Sequence, residues 1–210
     1  MGRYLGSSCR HCRREGMKLM LKGIRCEMAK CPIEKKQRNV APGMHGWRRG
    51  RNSEYAVRLR EKQKVKRYYG LFERQFMRYF HKAERIKGNT GENLLQLLER
   101  RLDNVIYKLN FAPSRKAARQ LISHGHIYVN GRKVDVSDRI VEIGDKIVVK
   151  GAEKSKKKIK EQLETNPSFS TQGWLQLARE KAEATIVALP TREDVQIPVE
   201  EQLVVEFCSR

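Results

Sequence analysis

Residues 114–134 read SRKAARQLISHGHIYVNGRKV, and the fold turns on this stretch. At about 100° per residue, a helix starting at Arg115 places Ala117, Ala118, Leu121 and Ile122 on one arc. Arg115, Lys116, Arg119, Gln120, Ser123 and His124 fill the other. Pro113 and Ser114 supply a start with a capping hydroxyl, and Gly125 is the natural left-handed stop. Asn130 and Gly131 then stand between IYV and RKV, the strongest short-range hairpin signal a sequence offers. Such a unit anchors one face on a core and turns the other, rich in donors, toward phosphates. The same residues also suit a solvated amphipathic helix beside a surface hairpin, so the surrounding chain has to decide.

Charge is the first guide. A net +21 and a pI near 10.1 point to an anionic partner, with nucleic acid as the first candidate. The excess is local: residues 1–91 carry 25 Lys and Arg against 7 acidic residues, residues 92–150 carry 11 against 7, and residues 151–210 carry 9 against 10. The N-terminal part therefore supplies most of the positive field. No apolar run reaches the roughly 18 residues of a membrane span, and no apolar stretch follows the basic N-terminus as in a signal peptide. The chain reads as cytosolic, where clustered cysteines bind metal more often than they form disulfides.

Cys9, Cys12, Cys26 and Cys31 make C-x2-C-x13-C-x4-C. Two close pairs brought together by the intervening segment suit one tetrahedral Zn²⁺ with no open position, which is a structural site and not a catalytic one. Arg10, Arg13, Arg14, Arg25 and Lys30 are placed to offset the negative charge of four thiolates. An iron–sulfur cluster is the second metal reading. Cys208 stands apart and reads as a packed thiol. Residues 35–53 are rich in Gly, Pro and Arg without a hydrophobic period. They read either as a basic linker or as a segment that orders on RNA through Trp47, Arg48, Arg49 and Arg51.

Three helices are predicted next. Residues 54–69 start after Ser53, stop at Gly70 and carry Arg58, Lys62 and Lys66 at i, i+4, i+8. Like charges at that spacing repel, which suggests an external anion. Residues 71–87 line up Phe72, Phe76, Phe80 and Ala83 as core, and residues 92–109 carry an unbroken stripe from Leu94 to Leu109. Beyond the opening stretch, residues 136–145, 146–150 and 184–189 are expected to complete a small antiparallel sheet, with a basic helix at 154–163 and a loop at 166–173. For residues 198–210, Val199, Leu203 and Phe207 favour a helix begun at Pro198, against a strand using Leu203, Val205 and Phe207.

Taken together these runs resemble the small-subunit ribosomal protein S-four family in its zinc-binding bacterial form. The resemblance rests on RYLG at 3–6, GRNSEYAVRLREKQKVKRYYG at 50–70 and TGENLLQLLERRLDNVIYKL at 90–109. It continues through the opening stretch to LPTRED at 189–194 and EQLVVEF at 201–207. It implies an α+β fold: a helical N-terminal domain with a four-cysteine segment, and a helix-and-antiparallel-sheet RNA-binding module inserted before a C-terminal helix. The expected divisions are 1–50, then 51–91 completed by 191–210, with the module at 92–190.

The resemblance further implies a cytoplasmic, non-enzymatic protein that binds 16S ribosomal RNA directly, at a multi-helix junction of the 5′ domain, and nucleates assembly of the small subunit. It would neighbour protein S-five, influence decoding fidelity and lie near the path of incoming mRNA. The RNA face it implies comprises Arg115, Lys116, Arg119, His124, His126, Asn130, Arg132 and Lys133 in the module. In the N-terminal part it comprises Arg3, Tyr4, Arg10, Arg13, Arg14, Arg48, Arg49, Arg51, Arg58, Lys62 and Lys66. Cys208 and Pro198 depart from the family pattern and bear on the C-terminal tail. Two rivals carry the same module, an RNA-modifying enzyme such as a pseudouridine synthase and an RNA chaperone. No catalytic Asp context, Gly-rich phosphate loop or nucleophile–base pair supports the first.

Overall fold

The computed structural model describes residues 2, 4–46, 53–150, 153–165, 171–179 and 181–209. The chain divides into two compact units, 1–94 with 196–210, and 95–195. Among the described residues no helix is long and apolar enough to cross a membrane.

The first unit is helical. α1 (Cys9–Glu15) is followed by short 3-10 turns at Gly23–Cys26 and Lys36–Arg38, then α2 (Glu54–Tyr68) and α3 (Glu73–Glu84). The Ser53 hydroxyl accepts from Ala56 N at 3.3 Å, the predicted cap of α2. Phe76, Phe80 and Ala83 are buried along α3 as the spacing predicts, joined by Tyr79. Phe72 is not: it sits in extended backbone before α3 and is 48% exposed, because the helix begins two residues later than the aromatic line suggests. At the C-terminus, α8 (Glu201–Cys208) packs on α2, which settles the tail as helix and buries Val204 and Cys208. Pro198 lies ahead of that helix and not at its first position.

The predicted single helix over 92–109 is two. α4 (Thr90–Glu99), which crosses the boundary between the units, ends before Arg101, whose extended backbone pairs with Ile140; α5 (Leu102–Lys108) restarts beyond it. The backbone N–H groups of Leu102 and Asp103, orphaned at a helix start, donate to the carbonyls of Arg139 (2.9 Å) and Ser137 (3.2 Å). The leucine stripe stays in phase across the break, so hydrophobic period alone cannot reveal it.

In the second unit, α6 (Arg115–Ser123) is capped by the Ser114 hydroxyl, which accepts from Ala117 N at 3.3 Å. β1 (Ile127–Val129) and β2 (Arg132–Lys133) follow as the predicted hairpin, with Asn130 at φ 51° and Gly131 at φ 78°, the positive pair a tight hairpin turn demands. β3 (Lys146–Val149) and β5 (Glu183–Ile186) occupy the strands expected from sequence, whereas residues 136–145 form a loop that meets Arg101 in an isolated bridge at Ile140. α7 (Glu153–Thr165) matches the predicted basic helix, and β4 (Leu175–Ala178) is an unforeseen strand. The part of the predicted loop at 166–170 lies outside the described residues. The sheet runs β2-β1-β3-β5-β4 with every pairing antiparallel. Its apolar face, carried by Ile127, Val129, Ile147, Val149, Ala184 and Ile186, packs in one core with Leu102, Val105 and Ile106 of α5, Ala118 and Ile122 of α6, and Ile159 and Leu163 of α7.

Candidate nucleic-acid interface and cysteine cluster

The cations of α6 separate into two groups. Arg115 is 5% exposed, not outward as the helical arc suggests: its Nε donates to Asn104 Oδ1 at 2.8 Å and its guanidinium lies 4.5 Å from the centre of the Tyr107 ring. Arg119 is half-buried and gives two hydrogen bonds to Asp103, the shorter 2.7 Å from Nη2. Asp103 also takes a bidentate grip from Arg101, at 3.1 and 2.7 Å. Both inner cations thus lock α6 to α5. The physical reason is the neighbouring helix, which carries buried Asp103 and Asn104 where a wheel drawn for α6 sees only polar positions.

Asn104 continues this network by donating to both the backbone and the carboxylate of Glu99, at 3.0 and 2.6 Å. The Lys108 ammonium donates to the same carboxylate at 2.8 Å, to Gln172 Oε1 at 2.6 Å and to the Asp194 carbonyl at 2.8 Å. Burial holds the Lys108 ammonium below its usual pKa, partly countered by the Glu99 carboxylate.

The residues that remain outward are Lys116, His124, Arg132 and Lys133, all exposed, beside the half-buried His126. The His124 and His126 rings stand 6.1 Å apart. Lys133 lays its flexible stem across Gly125, and it is the φ of +72° there, more than the lysine, that favours glycine at this corner. Asn130, also expected on the RNA face, is spent internally. Its Nδ2 donates to Asp145 Oδ1 at 2.7 Å and its Oδ1 accepts from Lys146 N at 2.9 Å, fastening the hairpin tip to the start of β3.

In the helical unit the stripe Arg58, Lys62 and Lys66 lies together on α2, but its charge is balanced within the protein. Arg58 reaches Glu54 (3.0 Å) and, on α8, Glu206 (2.7 Å); Lys62 is buried, pairs with Glu73 and stands 5.0 Å from the Phe207 ring; Lys66 meets Glu73 at 2.9 Å. Burial opposes the Glu73 charge, yet the bonds from Lys62 and Lys66 outweigh it and hold that carboxyl below its usual range. The inference of an external anion from the stripe's self-repulsion is therefore corrected: carboxylates on α3 and α8 do the work.

A second stripe escaped the sequence reading. Arg74, Arg78 and Lys82 are exposed on α3 at the same spacing as the α2 set, with Arg85 exposed three residues on, and no described ion pair involves Arg74, Lys82 or Arg85. Its helical period is present in the sequence, interleaved with the aromatic line of the same helix.

Near the N-terminus, Tyr4 packs its ring 4.3 Å from His11 and stays 37% exposed. Arg10 is exposed, whereas Arg13 donates from Nε to the Val40 carbonyl at 2.8 Å and Arg14 from Nη2 to the Pro42 carbonyl at 3.0 Å. Two expected RNA ligands thus strap the basic segment to α1. Buried Glu15 receives Arg67 and Arg60, joining α1 to α2; burial pushes its carboxyl up despite those two guanidiniums. Arg3, Trp47, Arg48, Arg49 and Arg51 lie outside the described residues.

All four clustered cysteines are free thiols, Cys12, Cys26 and Cys31 buried and Cys9 partly so. They lie near enough to act on each other: burial pushes the Cys12 and Cys26 thiols up, and the neighbouring cysteines push them further. Lys22 N donates to Cys26 Sγ at 3.3 Å. Among the described residues, no three His, Cys, Asp or Glu side chains are close enough together to hold a metal ion.

Two domain families match the chain: "Ribosomal protein S4/S9 N-terminal domain" over residues 3–99 and "S4 domain" over residues 100–147. Among curated proteins it is 55% identical to small ribosomal subunit protein uS4 of Halothermothrix orenii, and 53% identical to the proteins so named from a Thermoanaerobacter species and Pelotomaculum thermopropionicum. Each alignment covers the whole of both chains. The second family begins at the break between α4 and α5 and takes in the whole α5–α6–hairpin unit that the buried Asp103 and Asn104 hold together. With that unit and the helical part both matched, and identity above one half from end to end, the chain belongs to the family of small ribosomal subunit protein uS4.

Proposed function

We propose that this protein, a structural ribosomal protein and not an enzyme, holds a multi-helix junction in the 5′ domain of 16S ribosomal RNA and helps nucleate the small subunit in the cytoplasm. One observation carries the reading: Arg115 and Arg119 are committed to α5, while Lys116 on α6 and Arg132 and Lys133 on the following hairpin stay exposed. Ammonium and guanidinium groups suit phosphates, and a folded RNA junction is read by shape and backbone more than by base edges. Full-length similarity to uS4 proteins removes the reason to prefer an RNA-modifying enzyme or an RNA chaperone. Protein S-five as neighbour, an influence on decoding fidelity and a position near incoming mRNA belong to the same proposal. Purified protein should co-sediment with small subunits and protect a discrete junction in 16S RNA; a failure to co-sediment would reject the assignment.

We also infer that Cys9, Cys12, Cys26 and Cys31 hold one structural Zn²⁺. The donor set fits: four free thiols from one segment, a backbone N–H already aimed at one sulfur, and a surround of arginines suited to a charged tetrathiolate. Binding has to draw the thiols inward. When bound, the ion braces residues 9–31 and supplies no chemistry. Elemental analysis should give about one zinc per chain, and chelation should make the thiols reactive while leaving unfolding of the 95–195 unit unchanged. A metal-free protein whose N-terminal segment is fully folded would reject the site.

A further inference from the structure

We propose that a hollow beside the cysteine cluster is a phosphate-binding site that receives a turned nucleotide backbone. It measures about 450 Å³ and is lined by Ser7, Arg10, Arg13, Lys22, Arg25 and Arg38, with Cys9, Pro32, Gln37 and Val40 completing the wall. Among the described residues no carboxylate is in that lining. The five cations come from three separate pieces of chain: α1, the turn around Gly23–Cys26 and the turn at Lys36–Arg38. The fold gathers them; a run of basic sequence does not.

Their bonding sets them apart from the cations of α2. Arg13 uses its Nε to hold the Val40 carbonyl, which fixes one wall. Arg10, Lys22, Arg25 and Arg38 are exposed, and no described ion pair involves them. Like charges brought round one concavity repel, and a bound anion relieves that repulsion. Four thiolates on a zinc ion leave a net −2 nearby, which offsets part of this charge and leaves the wall positive.

The class of ligand follows from shape and composition. Arginine forks and lysine ammonium groups match phosphate oxygens. The Ser7 hydroxyl and Gln37 amide offer further donors. Among the described residues the lining holds no aromatic ring on which a base would stack, so their grip is on phosphate and sugar. A hollow of this size admits a nucleotide or two and excludes the body of a double helix. The site rests on the rRNA-binding reading above and adds Ser7, Lys22, Arg25 and Arg38 to it.

The test uses the full chain carrying Lys22→Gln, Arg25→Gln and Arg38→Gln, three exposed positions outside the cysteine ligands. Binding to the 16S 5′ domain is measured from low to moderate salt. The slope of log affinity against log salt should fall by roughly two to three units, and one short tract should lose hydroxyl-radical protection while the rest of the footprint stays. Restoring Arg25 and Arg38 as lysines should recover most of the slope. An unchanged slope and footprint would overturn the pocket and leave rRNA binding intact. If the unsubstituted protein gives no discrete footprint, the rRNA reading fails by itself, and titration with inorganic pyrophosphate decides the pocket. Binding lost in the triple variant then assigns it to a free phosphate compound, and no binding to either protein overturns it.

Discussion

Asp103→Ala is expected to destabilise the 95–195 unit by about 3–5 kcal/mol, the cost of removing one partner from a buried ion pair. Asp103 is 1% exposed and accepts from Arg101, itself fully buried, and from Arg119. Without the carboxylate, the Arg101 guanidinium stays where water does not reach. Replacing both partners by apolar residues would cost less, because the penalty lies in the charge left behind. Urea unfolding followed by Trp174, buried in the same unit and bonded from Nε1 to Gln172 at 3.0 Å, measures the effect once Trp47 is changed to Phe. A loss under about 1 kcal/mol, the range of an exposed ion pair, would mean that Arg101 finds water, and the account of α6 as locked to α5 would fall.

The second large effect separates RNA contact from support. Lys116→Gln, Arg132→Gln and Lys133→Gln together should lower the salt slope of rRNA binding by roughly two to three units and reduce affinity by two or more orders of magnitude, on the order of one per lost base-independent contact. All three residues are exposed, so stability should move by no more than about 0.5 kcal/mol. Arg115→Ala with Arg119→Ala should do the reverse: a loss of several kcal/mol in stability, typical of broken buried networks, and an unchanged slope for whatever protein remains folded. Should the inner pair lower the slope while the fold stays intact, the division of α6 into a locking side and a binding side would be wrong.

That division marks the limit of what the residues disclosed before the structure. Short-range signals carried through: the hydroxyls of Ser53 and Ser114 cap α2 and α6, and Asn130 and Gly131 make the hairpin. Each is decided within a few residues. What was hidden depends on distant chain. The break between α4 and α5 is made by carbonyls of residues 137 and 139, while the leucines keep their period across it. β4 is short and becomes a strand through its pairing with β5. Most telling is the fate of the cations. Arg58 finds Glu206 across 148 positions, Lys62 finds Glu73, and Arg119 finds Asp103. Helical period says which residues share a side; it does not say whether a carboxylate waits opposite. The cations left over, on α3, around the hollow and at the hairpin, are visible only after those pairings are known.

Footprinting of 16S RNA in assembling small subunits tests the central claim most directly. The account predicts protection confined to one multi-helix junction of the 5′ domain, weakened in separate tracts by substitutions at Lys116, Arg132 and Lys133 and by those at Lys22, Arg25 and Arg38. Equal protection of any RNA at equal affinity would contradict it.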